Sequence, residues 1–400
     1  MDLTFSPEHE RLREEVREFL RRHGEGAPKQ MGLSRPTEKE LAWQRLLIEH
    51  GYAAREIPKE YGGYGAPPDP LAAYIISDEI AKVGVSPGLS GQGIGMLVPT
   101  LLELGTEEQK KKYIRPTIYG EMIWCQGYSE PNAGSDLASL RTSARDEGDF
   151  FVVNGQKIWT SSAHFSDMMF ALVRTDPDKP KHHGISYLLI PMDTPGIEVR
   201  PLRTMTGGAE FNEVFFTDVR VPKTSIVGER GEGWAVANAT LKFERALLGD
   251  PNQTERFFLR VVEILQNERL DGKRVIDLPA FRDRLLRLQA KVLSMRFLGL
   301  RILTDIAKGS FSSLLPMLVV KLNGTTLNHE LAALAIDAMG ELGTLYDGDP
   351  LVRDDGLWEM WYMFSLGLMI GGGTSQIQKN IIGERGLGLP REPRIPPSQK

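Results

Sequence analysis

Apolar positions along the chain change their spacing twice, and the two changes divide it into three segments. In the first, Leu12, Val16, Phe19 and Leu20 recur at helical spacing behind Ser6-Pro7, the cap-then-proline order that opens a helix. Thr37 with Glu40 forms a capping box in front of "ELAWQRLLIEHG", which Gly51 ends. After the loop "IPKEYGGYGAPPDP", the stretches "LAAYIISDEIAKVG" and "TEEQKKKYIRPTI" are predicted helices. The middle segment is built of short β-branched and aromatic runs: "FFVVNGQKIW", "MMFALVRTD", "GISYLLIPM", "GIEVRPL" and "NEVFFTDVRVP". Turn chemistries such as "NG", "DPDKPKHH", "DTPG" and "TGG" separate them, which predicts a small β-domain. From "GWAVANATLKFERALLG" onward the pattern returns to long, heavily apolar helices, as in a bundle, before the proline-rich tail "LGLPREPRIPPSQK". The expected order is helical (1–121), β (122–231), helical (232–400), with no internal repeat.

Length and composition agree with this division. Four hundred residues, 41% hydrophobic and 25% charged, suit an ordinary globular protein of two or three domains. A net charge of −5 gives a nucleic-acid partner no electrostatic footprint. No apolar run reaches the ~20 residues that span a bilayer. The opening "MDLTFSPEHERLREE" lacks the apolar core of a signal peptide, so cytoplasmic residence is the expectation. Cys125 is the single cysteine, which excludes an internal disulfide and a multi-cysteine metal site.

Three loops carry candidate chemistry. In "YSEPNAGSDLASLRTSA", Pro131, Asn132, Gly134 and Ser135 sit at the junction into the β-domain, where a turn presents N–H groups and hydroxyls to the polar edge of a cofactor or merely connects domains. "KIWTSSAHF" places Trp159 beside Thr160 and Ser161 at a strand end; the ring could flank a flat ligand or belong to a core. "GGGTSQIQKNII" puts Gly371, Gly372 and Gly373 before a helix whose Ser375 and Gln378 have capping-box spacing. Its glycines let something flat or bulky approach the backbone, although a flexible loop would look the same.

Taken together and in this order, "YSEPNAGSD", "NGQKIWTSS" and "GGGTSQIQKNIIGERGLGLPR", with "TGGAEFNEVFFTDVRVP" and "GERGEGW", resemble the acyl-CoA dehydrogenase family along essentially the whole chain. The resemblance implies an α+β multi-domain fold: an N-terminal helical domain, a small β-barrel-like domain and a C-terminal helical bundle. It implies FAD as cofactor, with the flavin between β-domain and bundle, oxidation of an acyl-CoA thioester to the trans-2-enoyl-CoA, and an electron-transferring flavoprotein as acceptor. By position, Gln126, Tyr128, Ser129, Gly134 and Ser135 would meet FAD, Ser135 also touching the CoA arm. Trp159, Thr160 and Ser161 would pack on and hydrogen-bond the flavin, and Thr374, Ser375 and Gln376 would reach the cofactor from the helix start.

The reaction needs a base for the α-proton and hydrogen bonds to the thioester carbonyl that stabilise enolate charge. Many members of the family place a glutamate directly before the Gly-Thr of the last motif; here that position is Gly372, which cannot abstract a proton. In "ATLKFERALLG", however, Glu244 falls on the stripe Trp234, Ala237, Leu241, Leu248, where lost solvation would raise its pKa. From the pattern alone, a structural glutamate, paired with Arg245 or reaching solvent at the bundle edge, fits slightly better. A branch of the family, including isovaleryl-, long-chain- and bacterial steroid side-chain-type enzymes, carries its base on this helix, and the resemblance assigns that role to Glu244. Lys242, Phe243, Arg245, Gly372 and Gly373 would then border the substrate, with room at Gly372 for a branched or ring-bearing acyl group.

One departure concerns assembly. Where the family has Arg-x-x-Phe-Gly and a later glutamine that reach the FAD of a neighbouring subunit, this chain has "ERLDGKRVIDLPAFRDRL". Arg269 and Gly272 match, but the aromatic and the glutamine do not, so the clamp is altered or another subunit supplies it. A homo-oligomer or a heteromeric complex with a related subunit is therefore expected. Alternatives on the same fold are an acyl-CoA oxidase, a DNA-associated flavoprotein, which the acidic balance disfavours, and a non-catalytic partner subunit, which Glu244 disfavours.

Overall fold

The computed structural model describes residues 5–29, 34–247, 251–309, 314–346 and 348–391, with side chains except at 244–247, 251, 253 and 314. It divides into two compact units, Met1–Phe243 and Glu244–Lys400. The first opens with helices α1 (Pro7–His23), α2 (Glu38–Glu49), α3 (Pro70–Val83), α4 (Val98–Leu104) and α5 (Glu107–Ile118). Their starts are chemically marked as expected. The Ser6 hydroxyl accepts the His9 N–H at α1, and both bonds of the Thr37–Glu40 capping box form at α2. Val16, Phe19 and Leu20 are buried against Trp43, Leu47 and Ile76, with Leu12 packed beside them. Buried Glu79 ties α1 to α3. Burial pushes its carboxyl up, but hydrogen bonds from Arg17, Lys82 and Arg13 win and hold it at about 2.

The strands are β1 (Trp124–Gly127), β2 (Ser143–Glu147), β3 (Phe150–Ser161), β4 (Met168–Arg174), β5 (Ile185–Pro191), β6 (Ile197–Leu202), β7 (Phe211–Pro222) and β8 (Ile226–Val227). They form one sheet in the order β6-β7-β3-β2-β4-β5-β8, with β1 paired parallel to β4. β4 and β5 are continuously apolar because both of their faces are covered. One face packs Val153, Leu188 and Val214 together; the other sets Phe170, Tyr187 and Leu189 against Leu101 and Ile114 of the helices. Val236 and Ala237 of α6 (Gly233–Leu247) join this second cluster. β1, β2 and β8 carried no sequence signal, since β1 and β8 are very short and β2 is mostly exposed and charged.

The second unit holds α7 (Pro251–Asn267), the hairpin β9 (Arg269–Leu270) and β10 (Lys273–Arg274), α8 (Pro279–Ala307), α9 (Leu314–Met339), α10 (Leu357–Ile370) and α11 (Ser375–Ile381). Asp271 and Gly272 both take positive φ at the hairpin tip, the geometry that Asp-Gly favours. Val261, Leu265, Leu288, Leu331, Ala335 and Trp358 form its core. No helix of the described residues is long and apolar enough to cross a membrane, and no cluster of His, Cys, Asp or Glu among them could hold a metal ion.

Beside that core, Glu359 is only 6% exposed, and neither of its carboxylate oxygens has a hydrogen-bond partner among the described residues. Burial pushes its pKa up, with a smaller push from the Asp354 charge. A carboxyl whose folded pKa is raised stabilises the fold below the ordinary carboxylate range, and that contribution disappears as pH rises through the raised value. Glu359→Gln should therefore raise the midpoint of thermal unfolding at pH 8 and raise it less at pH 5. Glu359→Leu should stabilise by about 1–3 kcal/mol at pH 8, the usual cost of a buried unsatisfied group. Equal effects at both pH values, read by calorimetry, would show the carboxyl to be solvated.

Candidate functional site

In the first unit, a buried ion pair sets the loop after β1. Lys157, fully buried on β3, donates to the Glu130 carboxylate at 2.8 Å and to the Tyr128 carbonyl at 3.2 Å. Glu130 also accepts the N–H groups of Arg141 and Thr142, at 2.6 and 2.9 Å. Burial pushes the Lys157 ammonium down to about 8 against the opposing pull of Glu130. The Glu130 carboxyl, which burial pushes up, is held below its ordinary range by that lysine. The Ile158 N–H donates to the Ser129 carbonyl at 3.0 Å. The structure thereby brings together two of the sequence motifs, Tyr128–Ser129 and Ile158–Thr160. Gln126 lies in β1, half-buried, while Gly134 and Ser135 are exposed further along the loop.

Immediately after Lys157 the pairing of β3 with β7 slips register, between Lys157 and Thr160. Trp159 sits in this irregularity at φ +60°, a conformation that a bulky residue rarely adopts, and its ring is 59% exposed, edge-on to Phe211. The Thr160 hydroxyl is buried without a partner among the described residues, while the Asn212 amide donates to the Thr160 carbonyl at 2.9 Å. Ser161 is half-buried and lines a cavity of about 350 Å³ with Gln92, Gly93, Trp124 and Phe165. Cys125 is fully buried and its thiol is pushed up to about 12 by that burial, so it is no nucleophile.

In the second unit, the glycine turn departs from its expected capping. Thr374, not Ser375, is the N-cap of α11, its hydroxyl accepting the Ile377 N–H at 3.2 Å. Gln378 does not close a capping box either. Its amide donates instead to the Gly372 carbonyl at 2.8 Å, because two glycines in the left-handed region (Gly372 φ +62°, Gly373 φ +90°) bend the chain back over the helix. Buried Lys321 of α9 donates to the Gly373 carbonyl at 2.7 Å. Thr374, Ser375 and Gln376 thus lie together beside Gly372 and Gly373. Arg269 is on β9, exposed, and donates to the Gly272 carbonyl at 3.5 Å. On α6, exposed Lys242 lies 5.5 Å from the centre of the Phe243 ring. The side chains of Glu244 and Arg245 lie outside the described residues.

Sequence reasoning passed over Lys157, Glu130 and Lys321. The signal was present: each lysine interrupts an apolar strand or helix pattern, in "NGQKIW" and "LVVKLNG".

Comparison with known proteins places the chain in a defined setting. Family models described as the acyl-CoA dehydrogenase N-terminal, middle and C-terminal domains match residues 6–121, 125–219 and 231–387. Acyl-CoA dehydrogenase IpdE1 of Mycolicibacterium smegmatis is 38% identical over 368 residues, covering 89% of each chain. Acyl-CoA dehydrogenase FadE26 of Mycobacterium tuberculosis is 33% identical over 98% of this chain and 100% of its own. Among solved structures, the Tcur3481-Tcur3483 steroid ACAD matches with a TM-score of 0.81 at 30% identity, covering 98% of this chain and 100% of that one. The ChsE4-ChsE5 complex from Mycobacterium tuberculosis matches with a TM-score of 0.79 at 32% identity, with the same coverage.

The buried pair makes a direct prediction. Lys157→Met leaves the Glu130 carboxylate uncompensated and should destabilise the protein by about 3–5 kcal/mol. Adding Glu130→Gln should recover part of that loss, since an amide oxygen still accepts the Arg141 and Thr142 N–H groups without carrying charge. Chemical denaturation of the two variants measures both effects.

Proposed function

Because the chain belongs to the acyl-CoA dehydrogenase family and is an oxidoreductase of that kind, we propose that it binds FAD non-covalently and converts a bulky acyl-CoA thioester to its trans-2-enoyl-CoA. The observation that carries the cofactor reading is the pair Trp159 and Thr160. An exposed flat ring held in an unfavourable backbone conformation, next to a buried hydroxyl without a partner among the described residues, suits a flat heterocycle with polar edges. The residues around Trp159 therefore fit FAD, which Tyr128, Ser129, Gly134, Ser135, Trp159, Thr160 and Ser161 would hold, with Gln126 as a further contact; the family resemblance assigns Thr374, Ser375, Gln376 and Arg269 to the same cofactor.

When bound, FAD would supply the hydride acceptor for the substrate β-carbon. The chain's own residues do the rest. Glu244 takes the α-proton onto its carboxylate, and free N–H groups of the glycine turn hydrogen-bond the thioester oxygen as enolate charge develops. Gly372 and Gly373 leave the acyl group space, and Ser135, Lys242, Phe243 and Arg245 border the substrate. A ring-bearing acyl group is favoured by that open turn and by the steroid ACAD among the similar structures. An electron-transferring flavoprotein is the proposed electron acceptor.

Assembly follows from α8. Leu285, Leu288, Val292 and Met295 of this helix are buried, while Leu286, Leu293 and Phe297, along another face, are 56%, 42% and 53% exposed. We read this second stripe as a subunit contact, filled by another copy or by a related subunit; the similar ChsE4-ChsE5 structure is itself a complex.

The purified protein, alone or with its partner subunit, should be yellow and release FAD on denaturation; a colourless protein that takes up no FAD would sink the reading. Glu244→Gln should lower turnover by about 10²–10⁴-fold with FAD content unchanged, whereas a structural glutamate would cost thermal stability and leave activity per folded molecule. In sedimentation, the FAD-loaded protein should run as a dimer or larger, and Leu293→Glu with Phe297→Glu should shift it toward monomer.

A further inference from the structure

The Gly371–Thr374 turn is shaped by groups outside it. The Gly371 N–H donates to the Gly367 carbonyl at 2.8 Å. The next two carbonyls are captured from beneath: Gly372 by the Gln378 amide at 2.8 Å, and Gly373 by the Lys321 ammonium at 2.7 Å. Lys321 reaches the Met369 carbonyl as well, at 3.4 Å. Both captors are buried, Lys321 at 0% and Gln378 at 1% exposure. In a planar trans peptide the C=O and the following N–H point in opposite directions. Capturing the Gly372 and Gly373 carbonyls therefore turns the N–H groups of Gly373 and Thr374 away from the captors. Those two, and the N–H of Gly372, have no acceptor among the described residues. Successive free N–H groups of this kind receive an anionic oxygen.

A donor on a peptide carbonyl also polarises the peptide, so its N–H becomes a stronger donor, and the effect grows when the first donor is a cation in a dry site. We propose that Lys321, seconded by Gln378, is a positioning residue for dehydrogenation: it fixes and polarises the glycine turn so that the turn offers N–H donors, not carbonyls, to the thioester oxygen as enolate charge develops. The proton leaving the α-carbon goes to the base, and Lys321 takes no part in that transfer. Positive φ favours glycine at both Gly372 and Gly373, and at Gly373 a Cβ would also lie 2.8 Å from the Gln378 amide nitrogen. The inference rests on the reading that this turn faces the acyl thioester.

The test uses the FAD-loaded protein with octanoyl-CoA, isovaleryl-CoA and cholyl-CoA as probes, taking whichever is oxidised fastest. Lys321→Gln keeps a neutral donor, and Gln378→Met removes the second captor without touching charge. Each should lower kcat by about 10- to 100-fold, the scale of a misplaced catalytic donor, while KM moves less than about threefold and FAD content holds. The double variant should be little worse than the worse single, because both act on one turn. Unchanged kcat in Gln378→Met, or loss of activity only in step with loss of FAD or of cooperative unfolding, overturns the inference. Gln378→Met decides the matter should Lys321→Gln not fold. Gly372→Asn, whose side chain tolerates positive φ, tests the underlying reading separately. If it leaves kcat and KM unchanged for every probe, the turn does not face the substrate. If it impairs turnover while Gln378→Met does not, only the role of the captors fails.

Discussion

A lysine ammonium taken out of water has to be surrounded by oxygens, and in both units of this protein the oxygens come from a loop next to the candidate site. Lys157 gathers the Glu130 carboxylate and the Tyr128 carbonyl; Lys321 gathers the Gly373 and Met369 carbonyls. Desolvating a charge is costly, so each ammonium stays buried only while its loop keeps one shape. The cost of burial is thereby converted into loop geometry. Around Lys157 the result is a loop pinned to β3, with Trp159 thrust out where the ladder slips.

The two anchors differ in what they hold. Lys157 faces a carboxylate, and the pair balances its own charge locally. Lys321 donates to the Gly373 and Met369 carbonyls, and those contacts polarise a turn whose N–H groups at Gly372, Gly373 and Thr374 find no acceptor among the described residues. That asymmetry matches the demands of the proposed chemistry. A cofactor loop needs rigidity, whereas a site of developing negative charge gains from oriented positive potential that requires no rearrangement as the reaction proceeds. Glu359 shows the opposite case, a buried carboxyl whose oxygens find no hydrogen-bond partner among the described residues.

Capping chemistry made two helix starts legible. Ser6 and Thr37 start helices where local hydrogen bonds alone dictate, and the structure keeps both. At the glycine turn the same logic failed. Ser375 and Gln378 have capping-box spacing, yet positive φ at Gly372 and Gly373 moves the cap back to Thr374 and brings the Gly372 carbonyl within reach of the glutamine. Glycine removes the steric bias on which such local rules depend, so only the surrounding packing could choose the turn's path.

By itself the sequence determined the helical–β–helical order, the first two helix starts and the motif set that marks the family, since these follow from periodicity, capping and ordered loops. It left β1, β2 and β8 unmarked, because a strand that is very short or charged on its open face has no pattern apart from its neighbours. Tertiary structure decided which lysines are buried, which carbonyls they capture and which N–H groups remain free. Those are contacts between residues far apart in the chain, 27 positions for Lys157 and Glu130 and 52 for Lys321 and Gly373. An ammonium's preference for oxygen is local chemistry, but which oxygen it finds is settled only when strand and helix close on their loops.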